Sequence, residues 1–389
     1  MAVAAKKKTT RKAVTGKTLQ QAGKLLWAEP ACGHKIAEEL LQDAEKAVAQ
    51  LVPCLSESND EQGTQAFFAL EAMVMAALNP EAAPEQCRAL VAGLCRQLPV
   101  ARDAYSRNQL IRYLGLLGYD CVDALRPWLD KEEYFEVTLL ALRHIGSLSA
   151  LELIAEKMAA AKGSAYTALA LAVADWEDGE AIDPEQMRKA LAKAPESELP
   201  ALWNACARCG LTFVADDLLK ACKGKSKVIM AAACANLSLL ISNIRDWETA
   251  VALGQHFYQT CPTAIALRCW FDACGADITA DCYEALTDAA QEAEPILRET
   301  AIELLGKASE NGVETEMLVE FAGALKSPSA KAAMVRMLGR HGKIIARPFI
   351  MACLWDKEPE VRQAAREAAE KLEGKLDAAN AIAVAVHRN

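Results

Sequence analysis

Few residues in this chain have the types and spacing that chemistry requires. Thr15-Gly16-Lys17-Thr18 has the form of the end of a phosphate-binding loop, where backbone N–H groups cradle phosphates and the lysine neutralises them. That loop needs a second glycine five residues before Gly16, and Arg11 stands there, with no apolar strand leading in. Cys206-Ala207-Arg208-Cys209 is the single CxxC. It lacks the second thiol pair that completes a structural zinc site. A redox motif would follow a strand and open a helix, whereas Asn204 to Gly210 reads as a helix end, so both thiols are expected in the core. Cys32-Gly33-His34 offers only two ligands. None of the five histidines, His34, His144, His256, His341 and His387, is followed by Glu. No catalytic, cofactor-binding or metal-ligating residue is therefore expected, no cofactor is implied, and the chain reads as a non-enzyme.

Charge is the stronger chemical signal. The 389 residues carry 43 Lys and Arg against 52 Asp and Glu, a net charge of -9. Residues 1–28 hold Lys6, Lys7, Lys8, Arg11, Lys12, Lys17 and Lys24 and no acid, which leaves 36 cations against 52 acids elsewhere, a net of -16. The expected organisation is a basic, flexible tail over 1–28 on an acidic body. Lys6, Lys7, Lys8, Arg11, Lys12 and Lys17 are the candidate contacts to phosphates or to an acidic partner. An unstructured solubilising extension is the competing reading of the same residues. Fourteen cysteines without the apolar run of a signal peptide read as free thiols in a reducing cytoplasm, many packed as small hydrophobes. No run approaches the roughly 18 apolar residues of a membrane span. The acid-free start also resembles an organelle transit peptide, but it is rich in Lys rather than in Arg and Ser, which ranks that compartment second.

The elements that must carry these residues are helices. Apolar residues make up 52% of the chain and aromatics only 6%, with Ala and Leu outweighing β-branched runs. Laying Pro295–Gly306 on Pro328–Gly339 aligns Leu297, Arg298, Ala301, Leu304 and Leu305 with Ala330, Lys331, Met334, Met337 and Leu338. A third copy has Pro359, Val361, Arg362, Ala365, Ala368 and Ala369, and Arg107, Leu110, Tyr113, Leu114 and Gly115 repeat the second half without the proline. Proline fits the first turn of a helix, where its missing N–H has no intrahelical partner. Each copy thus predicts the start of a second helix, and its small residues admit a close neighbour. Turn residues Gly118, Gly146, Gly179, Gly210, Asn243, Gly275, Gly312 and Gly342 recur every thirty-odd positions, room for two helices of about three turns.

These motifs resemble the HEAT and armadillo-like helical repeat superfamily, in particular the short repeats of the phycobilin-lyase type. The likeness is good from about Asp281 to Leu372 and fair from Arg102 to Met158. It implies an all-α solenoid of stacked antiparallel helix pairs, in which the motif's basic residue serves the turn. On that reading Arg107, Arg298, Lys331 and Arg362, with Gly115, Gly306 and Gly339, are structural repeat positions. About ten pairs are expected, from a helix over Ile36–Leu55 to one ending near Leu372. Residues 29–375 form the solenoid and 376–389 a cap or frayed end.

Trp128 and Trp355, each at the end of a first helix, are expected to fill gaps between helix pairs, the alternative being exposed anchors for a partner. The leading functional expectation is a protein-binding scaffold with an acidic curved surface, and a basic peptide or helix suits its charge. The alternative is a nucleic-acid-associated protein that meets phosphates through the tail. A third class is a HEAT-derived enzyme, such as a bilin lyase or an alkylpurine DNA glycosylase. No motif here matches either enzyme residue by residue, and an acidic body has the wrong sign for a DNA groove.

Overall fold

The computed structural model describes residues 17–25, 30–57, 60–176, 179–310 and 313–386. Among these residues the chain forms twenty-two α-helices, joined by turns and short 3-10 segments. Its contacts divide into two compact units, one through Ala190 and one from Leu191.

In the first unit the helices are α1 (Lys17–Leu25), α2 (Pro30–Gln42), α3 (Ala44–Leu51), α4 (Glu61–Ala77), α5 (Pro84–Gln97), α6 (Ala104–Leu117), α7 (Val122–Leu129), α8 (Glu132–Ile145), α9 (Leu148–Ala160) and α10 (Gly163–Val173). From α3 onward they pack as successive pairs, α3 with α4 through α9 with α10, and the second members α4, α6, α8 and α10 form a continuous row. Helix α11 (Pro184–Lys193) contains the boundary. The second unit has α12 (Leu199–Arg208), α13 (Ala215–Cys222), α14 (Lys227–Asn243), α15 (Trp247–Thr260), α16 (Ala264–Cys274), α17 (Ala280–Ala289), α18 (Pro295–Glu310), α19 (Thr315–Ala324), α20 (Pro328–His341), α21 (Arg347–Cys353) and α22 (Pro359–Val386). Here α13 to α22 pair in the same way, and α12, α14, α16, α18, α20 and α22 form the row of second helices.

The repeat motif explains this row. Pro295, Pro328 and Pro359 each open a second helix, α18, α20 and α22. In α6, where the motif lacks proline, the Asp103 side chain accepts a hydrogen bond from Ser106 N at 2.8 Å and caps the helix instead. Glycine at the motif's end lets neighbouring second helices touch. A Cβ built at Gly115 would stand 2.7 Å from Ala141 Cα, and one at Gly339 only 2.5 Å from Ala368 Cα. Leu110 and Leu114 on α6, and Ala332, Met334 and Leu338 on α20, fill the core beside these contacts. Each fully buried leucine contributes about 1.5–3 kcal/mol. Gly118 and Gly342 end α6 and α20 in the left-handed region, at φ 68° and 70°, which glycine adopts without a Cβ penalty.

Several expectations are corrected. The helix expected over Ile36–Leu55 breaks at Asp43, which leaves helical dihedrals at φ -122° and ψ 46° and opens α3, as a residue that favours caps over helix interiors does. The tail expected over 1–28 becomes helical at Lys17, with Thr18 and Ala22 buried. Asn243 is the last residue of α14 and Gly179 opens a 3-10 turn, so both stand at element ends as expected; Gly312 lies outside the described residues. The last helix continues past Leu372 to Val386, in keeping with its alanine-rich sequence. Trp128 is buried, but Trp355 is 89% exposed. The two tryptophans are not equivalent: Trp128 lies inside α7, edge-on to Tyr134 at 5.1 Å, whereas Trp355 follows the end of α21 and turns outward.

Candidate partner-binding surface

The recurring motif cation has two structural uses. Arg362 Nη1 donates to the carbonyls of Asp356 and Lys357 at 2.8 and 2.9 Å, and Arg298 Nη1 to that of Glu292 at 3.4 Å, each closing the turn before its own helix. Lys331 and Arg107 reach forward into the next repeat. Lys331 Nζ meets Asp356 Oδ2 at 2.7 Å, and Arg107 Nη1 donates to the Tyr134 hydroxyl at 3.2 Å with its guanidinium 5.6 Å from the centre of the Trp128 ring. Gly306 packs against α20, where an added Cβ would meet His341 Nε2 at 2.7 Å.

The tempting chemistry is dispersed. Lys6, Lys7, Lys8, Arg11 and Lys12 lie outside the described residues. Lys17 is exposed beside an open polar cleft of about 810 Å³, where Lys35 and Lys46 face Glu38, Glu39 and Asp43, leaving no net positive charge for a phosphate. Cys206 is buried in α12, which pushes its thiol up to about 12, while Cys209 at the helix end is half-buried. Cys32 and His34 are exposed, and His34 meets Glu38 at 3.2 Å. Asn236, the acceptor of an Asn-Leu-Ser glycosylation motif, is buried in α14, where it donates to Pro200 and Ala232 carbonyls and accepts from Asn204. Among the described residues no three His, Cys, Asp or Glu side chains are placed to hold a metal ion. No helix among them is long and apolar enough to cross a membrane.

Exposed apolar side chains recur on the neighbouring second helices α4, α6 and α8 of the first unit. Phe68 and Met75 on α4, Leu116 on α6 and Leu140 on α8 are 49%, 63%, 38% and 47% exposed. Each belongs to its helix's outward stripe, since Leu70, Met73 and Val74 on α4, Leu110 and Leu114 on α6, and Leu139 and Leu142 on α8 face the core. The row carries acid: Glu71 on α4 and Glu133 and Glu136 on α8, against Arg112 on α6, while Arg143 is tied to Asp175. Beneath it, Asn108 Oδ1 and Gln109 Oε1 are shut away from solvent, and the Tyr113 hydroxyl lies against the Glu71 carboxylate. Burial, helped by the Glu71 carboxylate, drives the Tyr113 phenol well above its usual range.

Sequence reasoning missed this row. Its trace is in α4, where Phe67-Phe68 and Met73-Val74-Met75 put apolar groups on two faces at once, more than a single core-facing stripe needs. It missed thiol proximity too: Cys234 Sγ lies 3.4 Å from Cys222 Sγ across the α13–α14 pair. A contact between helices has no fixed sequence spacing to betray it.

Paired helices, rows of second helices and a motif recurring at one place in each define a helical-repeat protein of the HEAT and armadillo-like kind. The sequence pattern of HEAT repeats matches residues 283–370, the segment that contains α18, α20 and most of the first half of α22. No curated protein matches the chain in sequence. Among solved structures it is similar to the karyopherin Kap121p bound to Nup53p, with a TM-score of 0.55, 14% identity, and coverage of 91% of this chain and 44% of that one. The same karyopherin bound to Pho4p gives 0.54 and 14%, covering 91% and 45%. Bound to the extreme C-terminus of the protein phosphatase Cdc14p it gives 0.53 and 12%, covering 91% and 49%. The chain thus spans about half the length of the karyopherin it resembles, and at this identity the likeness establishes the fold, an all-α solenoid.

Proposed function

We propose that this chain is a non-enzymatic scaffold that holds a segment of a partner protein along α4, α6 and α8, the segment bearing apolar side chains and Lys or Arg. The observation that carries the reading is the exposed apolar set Phe68, Met75, Leu116 and Leu140 on neighbouring second helices, set among acids. Exposed apolar side chains supply binding energy when they are desolvated, and the acids beside them favour a ligand bearing Lys or Arg. The crystallised karyopherin of similar fold was bound to a protein terminus in one case, which is consistent with this use of the architecture. The test is an array of peptides of about 15 residues probed with the full chain. Enrichment of peptides combining Leu or Phe with Lys or Arg is expected, together with at least about a tenfold loss on Met75→Asp with Leu140→Asp. No enrichment, or enrichment indifferent to both substitutions, refutes it.

A second reading rests on the seven cations and no acids of residues 1–28. If the six from Lys6 to Lys17 met phosphates, log affinity for duplex DNA would fall with log salt at a slope of about -5. Substituting all six by Gln should abolish the binding; unchanged affinity after that substitution rejects this reading.

A further inference from the structure

Three thiols from successive helices gather in the second unit. Cys222 is the last residue of α13, Cys234 lies two turns into α14, and Cys261 directly follows α15. Cys234 Sγ stands 3.4 Å from Cys222 Sγ, and the Cys261 thiol is close enough to interact with Cys234 as well. Cysteine often packs as a small hydrophobe, but here sulfur meets sulfur, and closing the contact takes little. A disulfide sets its sulfurs about 2.05 Å apart, so an approach of about 1.4 Å completes the bond. The end of α13 can supply that movement, because Lys223 to Ser226, which link it to α14, are all exposed.

The two members of the closest pair are not alike. Cys234 is half-buried and open to a small solute, whereas Cys222 is 3% exposed. Burial, together with the neighbouring Cys234, pushes the Cys222 thiol up, so it stays protonated. That divides the roles between an entry thiol and a resolving thiol. We infer that Cys222 and Cys234 are a peroxide-oxidisable pair, in which Cys234 reacts first and Cys222 closes a disulfide that staples α13 to α14. The Cys234 thiolate attacks one oxygen of hydrogen peroxide and the O–O bond breaks; the departing hydroxide takes up the proton the thiol had lost and leaves as water. Cys234 is then a sulfenic acid. The Cys222 sulfur attacks Cys234 Sγ, the S–O bond breaks, and the hydroxyl leaves as a second water with the Cys222 proton. Two thiols have become one disulfide, and one peroxide has become two waters.

The pair lies in the other unit from the α4–α6–α8 row, so this inference and the binding reading stand or fall separately. The experiment exposes the reduced full chain to hydrogen peroxide, blocks the remaining thiols with iodoacetamide and maps tryptic peptides without reduction. Trypsin cuts at Lys223, Lys225 and Lys227, which separates the two cysteines unless a disulfide joins them. A linked Cys222–Cys234 peptide should appear, and reduction should abolish it. This mapping needs no substitution and so does not depend on a variant folding. Cys222→Ala with Cys261→Ala removes both neighbours of the intermediate, and dimedone labelling of Cys234 should then rise at least about fivefold over the unaltered chain. Absence of the linked peptide, a disulfide found only at the other neighbouring pairs, Cys95 with Cys121 or Cys274 with Cys282, or a link that forms only in urea overturns the inference. So does unchanged dimedone labelling of Cys234 in the double variant, because Cys234 is then not the thiol that peroxide enters.

Discussion

At the residue scale, glycine and one aspartate illustrate how closely the repeats are fitted. Gly339 admits no Cβ without displacing Ala368 backbone, and neither helix has a flexible side chain there to yield. Gly339→Ala is expected to lower stability by about 1–3 kcal/mol through overpacking. Gly374→Ala, at a helical position with nothing within 4 Å, should be neutral or raise it by up to about 1 kcal/mol. Paired urea titrations check both. Asp356 accepts from Glu358 N and pairs with Lys331, and these two contacts hold its carboxyl below the ordinary aspartate range. A depressed carboxylate contributes stability that is complete above its unfolded pKa of about 3.9 and is lost as pH falls through the folded value. Asp356→Asn should therefore reduce the difference in melting temperature between pH 6 and pH 2.5. An unaltered acid slope would mean that the contact is made equally well by the protonated form.

At the scale of elements, the second helices were largely legible and the first helices much less so. Pro295, Pro328 and Pro359 announce their helices because proline is favoured in the first turn, where no intrahelical donor is needed. The start of α6 depends on Asp103, whose cap is a single side-chain bond. Asp103→Ala should cost about 1 kcal/mol, measured by thermal unfolding, and Asp103→Asn or Ser should recover most of it. The interruption at Asp43 was not legible, because Ala37, Leu40, Leu41, Ala44, Ala47, Val48 and Leu51 keep helical spacing straight across it. The binding surface was hidden for a similar reason. Periodicity tells which residues share a face, but not whether another helix covers it, so Trp128 and Trp355 looked alike.

At the scale of the whole chain, pairing of neighbours governs how disturbance spreads. In a repeat array each pair is stabilised chiefly by the pairs beside it. Leu110→Ala, which empties a fully buried position in α6, should cost about 2–5 kcal/mol. In hydrogen exchange its loss of protection should centre on α4, α6 and α8 and spare α18, α20 and α22; an equal loss in both units would contradict nearest-neighbour coupling. The bridges between repeats are short in sequence as well as in space. Arg126 to Glu156, Lys157 to Asp130, Arg268 to Glu303 and Arg336 to Glu367 join residues 30, 27, 35 and 31 positions apart. Exposed pairs of this kind add little free energy, but their spacing has a consequence for biosynthesis. A helix leaving the ribosome finds its docking surface already made about thirty residues behind it, so this protein can be completed in the order in which it is translated.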